Sequence, residues 1–256
     1  SERLAAGQRF EFFPAVSAGW VASSEKFWEP ISKYINHFKI RGSYGLVGSD
    51  AFASGAPHFL YQNNIGIGSA HKFWTGLPTS EISKQGPGFY VLAVQDAGWE
   101  HVKKFDIGFD MMLFNQLNIT FDYFHDKRER ILMSRASWPS MLGYWGSKPW
   151  SNIGEVENQG FELSLNWTKQ FGKDLTLDLR GNFTYNQNEY KYVDEPSYPY
   201  VWQTNTGKPL NTVKGYIAEG LFASEEEIAN SPDQSQLGAN IMPVSYTHLR
   251  AHETRH

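Results

Sequence analysis

The sequence contains no cysteine, which removes disulfides, thiolate metal sites and thiol nucleophiles together. It has no apolar run of about 18 residues, so no segment reads as a transmembrane helix. Basic residues are neither in excess nor clustered: 23 Lys and Arg stand against 27 Asp and Glu, for a formal net charge of -4. Phosphate recognition needs a basic patch, so nucleic acid is excluded as a partner. Ser1-Glu2-Arg3-Leu4 has no apolar stretch of the leader-peptide kind. The expectation is therefore a cytoplasmic protein or a chain whose native start lies further upstream.

Aromatic residues are abundant, with 9 Trp, 13 Tyr and 18 Phe among 256 residues. Hydrophobic residues make up 41%, enough to exclude disorder as the general state. The mean hydropathy of -0.47 is that of a soluble protein. That value does not exclude a membrane barrel, because half of each spanning strand faces a polar lumen.

The pattern of these residues has a period of two. In Gly160–Trp167 one face carries Phe161, Leu163, Leu165 and Trp167, and the other Glu162, Ser164 and Asn166. Strand side chains alternate between faces, so this segment is a strand with one greasy and one wet side. Phe105, Ile107, Phe109, Met111 and Leu113 alternate with Lys104, Asp106, Gly108, Asp110 and Met112. Leu117, Ile119, Phe121 and Tyr123 alternate with Asn118, Thr120 and Asp122. Leu175, Leu177, Leu179, Phe183 and Tyr185 alternate with Thr176, Asp178, Arg180, Asn182 and Thr184. Phe38, Ile40, Tyr44 and Leu46 alternate with Lys39, Arg41 and Ser43, and "FFPAVSAGW" closes an earlier strand at Trp20. Antiparallel neighbours are expected at about 38–48, 99–113, 117–133, 155–168 and 175–190, with two unpaired edges. The fold class is all-β.

A soluble sheet buries such a greasy face on a core, whereas a membrane barrel turns it to lipid. The runs hold about 9–11 residues, the length of a tilted bilayer-crossing strand. Short turns join 113 to 117 and 167 to 175, and longer segments fill 49–98, 134–154 and 191 onward. Barrels of the outer membrane have this asymmetry, with short periplasmic turns and long outer loops. The reading is a partial transmembrane antiparallel β-barrel, with Trp20, Trp99, Trp167 and Tyr185 near strand ends as interfacial aromatics.

No catalytic constellation is present, so an enzyme is not expected. Glu155 and Glu157 share one face of a strand, and the Asn118, Asn166 and Asn182 sequons lie on polar strand faces rather than in loops. The long segments are rich in aromatics, and Trp138, Tyr144, Trp145, Trp150, Tyr198, Tyr200 and Trp202 are candidates to contact a sugar or a partner protein. Packing within the loops accounts for the same residues. In "FASEEEIANSP", Ser224 and Glu227 form a capping box for a short helix. His248, His252 and His256 have the i, i+4, i+8 spacing of helix-borne metal ligands but lack the placed Glu general base and the core context of a zinc-protease helix. No metal and no cofactor are expected.

The stretches "FPAVSAGWVAS", "FKIRGSYGLVGSD", "FDIGFDMMLFNQLNITFDYFHDKRERILM", "NIGEVENQGFELSLNW" and "GNFTYNQNEY" resemble, in order, the SusC/RagA-type TonB-linked outer-membrane transporters. "GYIAEGLFASEEEIANSP" is similar to a loop that follows a late barrel strand in that family. The resemblance implies a barrel of about 22 strands in the outer membrane of a Gram-negative bacterium, crossing it many times. It implies energised import of oligosaccharides or peptides, a SusD-like surface lipoprotein as lid, and a TonB complex engaged through an N-terminal region. On this reading residues 1–243 are barrel without the plug domain. Residues 244–256, "VSYTHLRAHETRH", have no counterpart in the family and read like a translated sequencing adapter, a non-native tail. A receptor for iron chelates or a vitamin, and a soluble glycan-binding β-protein, are the competing functions.

Overall fold

Alternation becomes strand wherever both faces have a use. The computed structural model describes residues 1–52, 55–75, 82–139, 141, 148–215, 224, 226 and 230. Among the described residues eight strands are formed: β1 (Ala15–Val21), β2 (Ile35–Ser49), β3 (Asn64–Thr75), β4 (Ile82–Val91), β5 (Glu100–Leu113), β6 (Leu117–Ser134), β7 (Trp150–Phe171) and β8 (Leu175–Tyr192). Six of them make one antiparallel sheet in the order β1-β2-β5-β6-β7-β8. The sheet does not close, and β1 and β8 are its two edges. The chain forms two compact units, Ser1–Ser197 with Asn205–Leu210, and Tyr198–Thr204 with Asn211–His256. The sheet belongs to the first.

Register carries the alternation across all six strands. Trp20, Ile40, Phe109, Phe121, Leu163 and Phe183 are successive cross-strand partners, one apolar residue from each strand. A one-residue slip at any pairing would send that strand's apolar set to the wet side. Ring contacts run along the same face: Phe38–Phe109, Phe109–Phe121 and Phe121–Phe161 have centroids 5.9, 5.5 and 6.1 Å apart. Phe161 continues the chain to Phe183 and Tyr185. Among the described residues no second layer covers these side chains: Leu165, Leu177 and Leu179 are exposed, and Phe183 is 56% exposed. A soluble sandwich would bury them. On β8 the band runs from Leu175 to Tyr185, which at about 3.4 Å per residue and a tilt near 45° is roughly 25 Å tall, the height of a lipid-facing band.

Two turns close the short-connection end. At β5–β6, Phe114 and Asn115 both have φ of 55° and Gln116 N–H donates to Leu113 O at 2.9 Å. This is the mirror-image turn that suits strand twist. At β7–β8 the positive φ of 67° falls on Gly172, which has no Cβ to clash.

At the opposite end the structure departs from the expected boundaries. Segment 49–98 is not merely a loop: β3 and β4 pair there as a separate antiparallel hairpin. β6 and β7 also extend to Ser134 and back to Trp150, past the expected 133 and 155. Their outward row there is charged. His125, Lys127 and Glu129 continue the parity of Tyr123, and Glu155, Glu157 and Gln159 that of Phe161. Ion pairs link them: Lys103–Glu129 at 2.6 Å, Lys127–Glu129 at 2.7 Å, His125–Glu157 at 2.5 Å and Lys191–Glu157 at 2.9 Å. Exposed pairs of this kind add little stability singly. Their effect is to end the apolar band.

A small core lies at this end. Leu4, Leu60, Ala97 and Leu132 are buried together, with Phe52, Val94, Trp99 and Trp150 packed against them. Asn152 ties it to the sheet. Its side chain accepts from Gly98 N–H at 3.0 Å and donates to Gly98 O at 3.1 Å and Arg130 O at 2.8 Å. Arg130 has φ of 58°, at a β-bulge where the register shifts between Arg128 and Ile131. Opposite Ile131 stands Gly154, where a Cβ would come within 2.2 Å of Met133.

Candidate functional site

The inner face is polar along the middle of the sheet, from β2 to β8, and at β2, β5 and β6 its side chains gather around Arg41. Arg41 of β2 pairs with Gly108 of β5, which in turn pairs with Asp122 of β6. Arg41 reaches over the glycine, and its Nη2 donates to Asp122 Oδ2 at 2.7 Å. A Cβ on Gly108 would lie 2.2 Å from Asp122 Oδ1, so the glycine makes room for the ion pair. Asp110 and Asp106 approach the same guanidinium at 3.4 and 3.7 Å. Thr120 Oγ1 donates to Asp110 Oδ1 at 3.2 Å. Three carboxylates around one guanidinium leave the patch net negative.

Beyond Arg41 the row continues through Glu162 and Thr184, with Ser164 and Asn182 beside it. Asn118, Asn166 and Asn182 stand on this polar face. Three acceptors, Asp122 Oδ1, Asn158 Oδ1 and Asn166 Oδ1, are buried without a hydrogen bond among the described residues.

Two carboxylates anchor the long-connection end. Asp194, 6% exposed, accepts from Arg135 Nε at 3.2 Å, Ser137 N–H at 3.1 Å and Ser137 Oγ at 2.8 Å. Glu195 accepts from the N–H groups of Asn205 and Thr206, each at about 3.0 Å. Burial alone would raise the Asp194 pKa, but the Ser137 amide and hydroxyl and the Arg135 guanidinium outweigh it and hold the carboxyl below its usual value. A carboxyl more acidic in the folded chain contributes stability that is present above its unfolded pKa and lost as pH falls through the folded one. Amide protection at Ser137 is therefore expected to be full at neutral pH and to fall only below the ordinary carboxylate range. Asp194→Asn should cost about 1–3 kcal/mol of that local protection and remove its acid dependence, read by hydrogen exchange against pH.

The aromatic candidates separate. Trp150 is the first residue of β7 and packs on the small core. Trp138 is half-buried in the segment between β6 and β7. Tyr144 and Trp145 lie outside the described residues. In the second unit Tyr200 and Trp202 are stacked, with centroids 5.9 Å apart and planes at 14°, and Tyr200 is 60% exposed. Tyr198 is exposed nearby in sequence. The short helix expected from the Ser224–Glu227 box falls mostly outside the described residues; Asn230 N–H donates to Glu226 O at 3.1 Å, one helical turn. His248, His252, His256 and the whole of 244–256 also lie outside them. Arg41 and its carboxylates, Asn152, Asp194 and Glu195 were not singled out from sequence. The available signal for Arg41 was an arginine on the wet side of an apolar-alternating strand.

Residues 4–240 match the family model described as TonB dependent receptor-like, beta-barrel. TonB-dependent receptor P39 of Formosa agariphila is 28% identical over 244 residues, covering 94% of this chain and 22% of that protein. TonB-dependent receptor SusC of Bacteroides thetaiotaomicron is 26% identical over 201 residues, covering 74% of this chain and 18% of that protein. Among solved structures, the RagAB peptide importer in its closed-closed state superposes with a TM-score of 0.62 at 20% identity, covering 85% of this chain and 22% of that one. The chain thus spans about a fifth of the length of these relatives.

Proposed function

The chain belongs to the TonB-dependent receptor-like β-barrel family, and on that premise we propose that it is a wall segment of a SusC/RagA-type importer in the outer membrane. The observation that carries the reading is the pairing of faces: an unclosed six-stranded sheet with an exposed apolar row on one side and a polar row on the other. The apolar side faces lipid. The polar side lines the lumen and faces a plug supplied by another part of the protein. Transport is driven through TonB, engaged outside this segment, and a SusD-like lipoprotein covers the loop end.

The proposed cargo is an oligosaccharide. Tyr200, exposed and backed by the half-buried Trp202 on which it stacks, is an apolar platform of the kind on which the C–H face of a sugar ring rests. Replacing both by Ala in the complete transporter should raise the half-saturation concentration for oligosaccharide uptake up to about ten-fold, since aromatic contacts are worth about 0.5–1.5 kcal/mol. Barrel insertion should be unchanged. Oligosaccharide uptake indifferent to the double variant would count against the platform. A transporter that moves only peptides, or that supports growth only under iron limitation, would overturn the cargo.

A further inference from the structure

The apolar band does not stop where β1 ends. The connection between β1 and β2 coils through helical turns: Trp28 N–H donates to Glu25 O, Ser32 N–H to Trp28 O and Ile35 N–H to Ile31 O, at 2.9–3.0 Å. Over this stretch Phe27, Trp28, Ile31, Tyr34 and Ile35 recur at the three-to-four spacing that collects side chains on one side of a helix. Glu25, Lys26, Glu29 and Lys33 occupy the other side by the same spacing. An amphipathic stretch in water would tuck its apolar side under. Here Phe27 is 62% exposed, and Ile31 and Tyr34 are exposed as well.

The stretch folds back onto the outer face of the sheet. Trp28 stacks on Phe38 with centroids 5.2 Å apart and planes at 8°, and Phe38 is a member of the apolar face. Phe27 contacts Trp20, the β1 residue of the central apolar row, at 6.1 Å. Tyr34 O accepts from Phe114 N–H at 2.9 Å and Asn36 Oδ1 from Asn115 N–H at 2.6 Å. These two bonds pin the stretch to the β5–β6 turn and hold Phe114 at its positive φ. Trp20 Nε1 and Trp28 Nε1 donate to Glu25 Oε1 at 3.3 Å and Ile35 O at 3.0 Å. Each indole thus has a polar tip and an apolar body, as at membrane interfaces.

We propose that residues 25–35 are a membrane-surface foot, lying in the headgroup–acyl boundary of the leaflet at the short-turn end with Phe27, Ile31 and Tyr34 among the acyl chains. The proposal rests on the lipid-facing reading of the sheet. Lipid is the occupant because the exposed apolar side is continuous, ring against ring, with the band that faces lipid. The polar side carries two acids and two bases, which suits a zwitterionic headgroup layer better than an acidic or basic protein surface. Insertion to about 5–10 Å is the depth at which such helices lie. The foot fixes the height of the β1–β2 corner in the bilayer.

The test uses single cysteines, since this chain has none of its own. Phe27→Cys, Lys33→Cys and Leu163→Cys are made separately in the complete transporter, in a background free of other cysteines. Each carries an environment-sensitive fluorophore in phosphatidylethanolamine–phosphatidylglycerol vesicles with nitroxide on the acyl chains. Most of the fluorescence should be lost at 27 and at 163, and little at 33, while aqueous iodide should quench 33 alone. Loss at 163 with positions 27 and 33 both open to iodide would overturn the foot and leave the sheet's orientation standing. No lipid quenching at 163 would overturn both. Phe27→Ser, labelled at 31 through Ile31→Cys, guards against a local effect of the label: loss of lipid quenching at 31 is expected, and unchanged quenching would reject the role of Phe27.

Discussion

Leu163→Arg is expected to weaken folding into a bilayer by about 2–4 kcal/mol, the cost of a cation near the midplane on the lipid side of a barrel. Leu163 lies between Phe121 and Phe183 in the central apolar row. The nearest outward polar residues on its own strand are Gln159 and Lys169, about 14 and 20 Å away along the chain at about 3.4 Å per residue. The nearest carboxylate on that face of its strand, Glu157, is about 20 Å away by the same measure, too far to pair with a guanidinium at 163. Glu162→Gln, one residue away on the lumen side, should stay within about 0.5 kcal/mol. Equilibrium urea unfolding of the complete barrel from vesicles measures both. Similar costs for the two substitutions would mean that the faces are wrongly assigned.

Alternation alone makes Leu163 and Leu177 look equally deep, but the register separates them. Leu177 is the partner of Lys169, two residues from the β7–β8 turn. Leu177→Arg should therefore cost much less than Leu163→Arg, since the penalty falls toward zero at the interface. Comparing the two measures where the band ends.

The same distinction explains how much of the fold was legible. Period two is readable only where one face is apolar, so 105–123 and 161–185 were clear. The loop-end halves of β6 and β7 carry charge outside as well as polar groups inside, and there the period disappears, although the strands continue. β3 and β4, "NIGIGSAHKFWT" and "ISKQGPGFYV", are glycine-rich and show no greasy side. A hairpin outside the main sheet has no lipid face to write into its sequence. The β1–β2 foot was missed for a different reason: its apolar residues follow a helical spacing over too few turns to stand out between two strands. For the candidate site, aromatic type was readable and environment was not. Trp150 and Tyr200 look alike in sequence, yet one packs on a core and the other faces solvent. Arg41 could not be joined to its carboxylates in advance, because Asp110 and Asp122 lie 69 and 81 residues away along the chain.

Arg41→Ala is expected to lower the stability of the folded barrel by roughly 1.5–3 kcal/mol, the range for hydrogen bonds to charged groups. A fully buried pair would lose more, about 3–5 kcal/mol when one partner is removed. Here the Arg41 side chain is about one-third exposed, so lumen solvent screens part of the loss. The cost comes less from the bond than from what remains. Asp106, Asp110 and Asp122 would face one another with no cation between them, and neighbouring like charges repel. The variant should therefore recover stability as salt is added, because screening shortens the reach of that repulsion. Asp122→Asn alone should cost less, since Arg41 keeps two carboxylates. Combining it with Arg41→Ala should leave the barrel more stable than the two single losses predict, by about 1 kcal/mol of coupling. The four-variant cycle, run by urea unfolding at low and high salt, reads both signatures. Additive losses that ignore salt would mean that the guanidinium only packs across Gly108 and does not neutralise the acidic patch of the lumen.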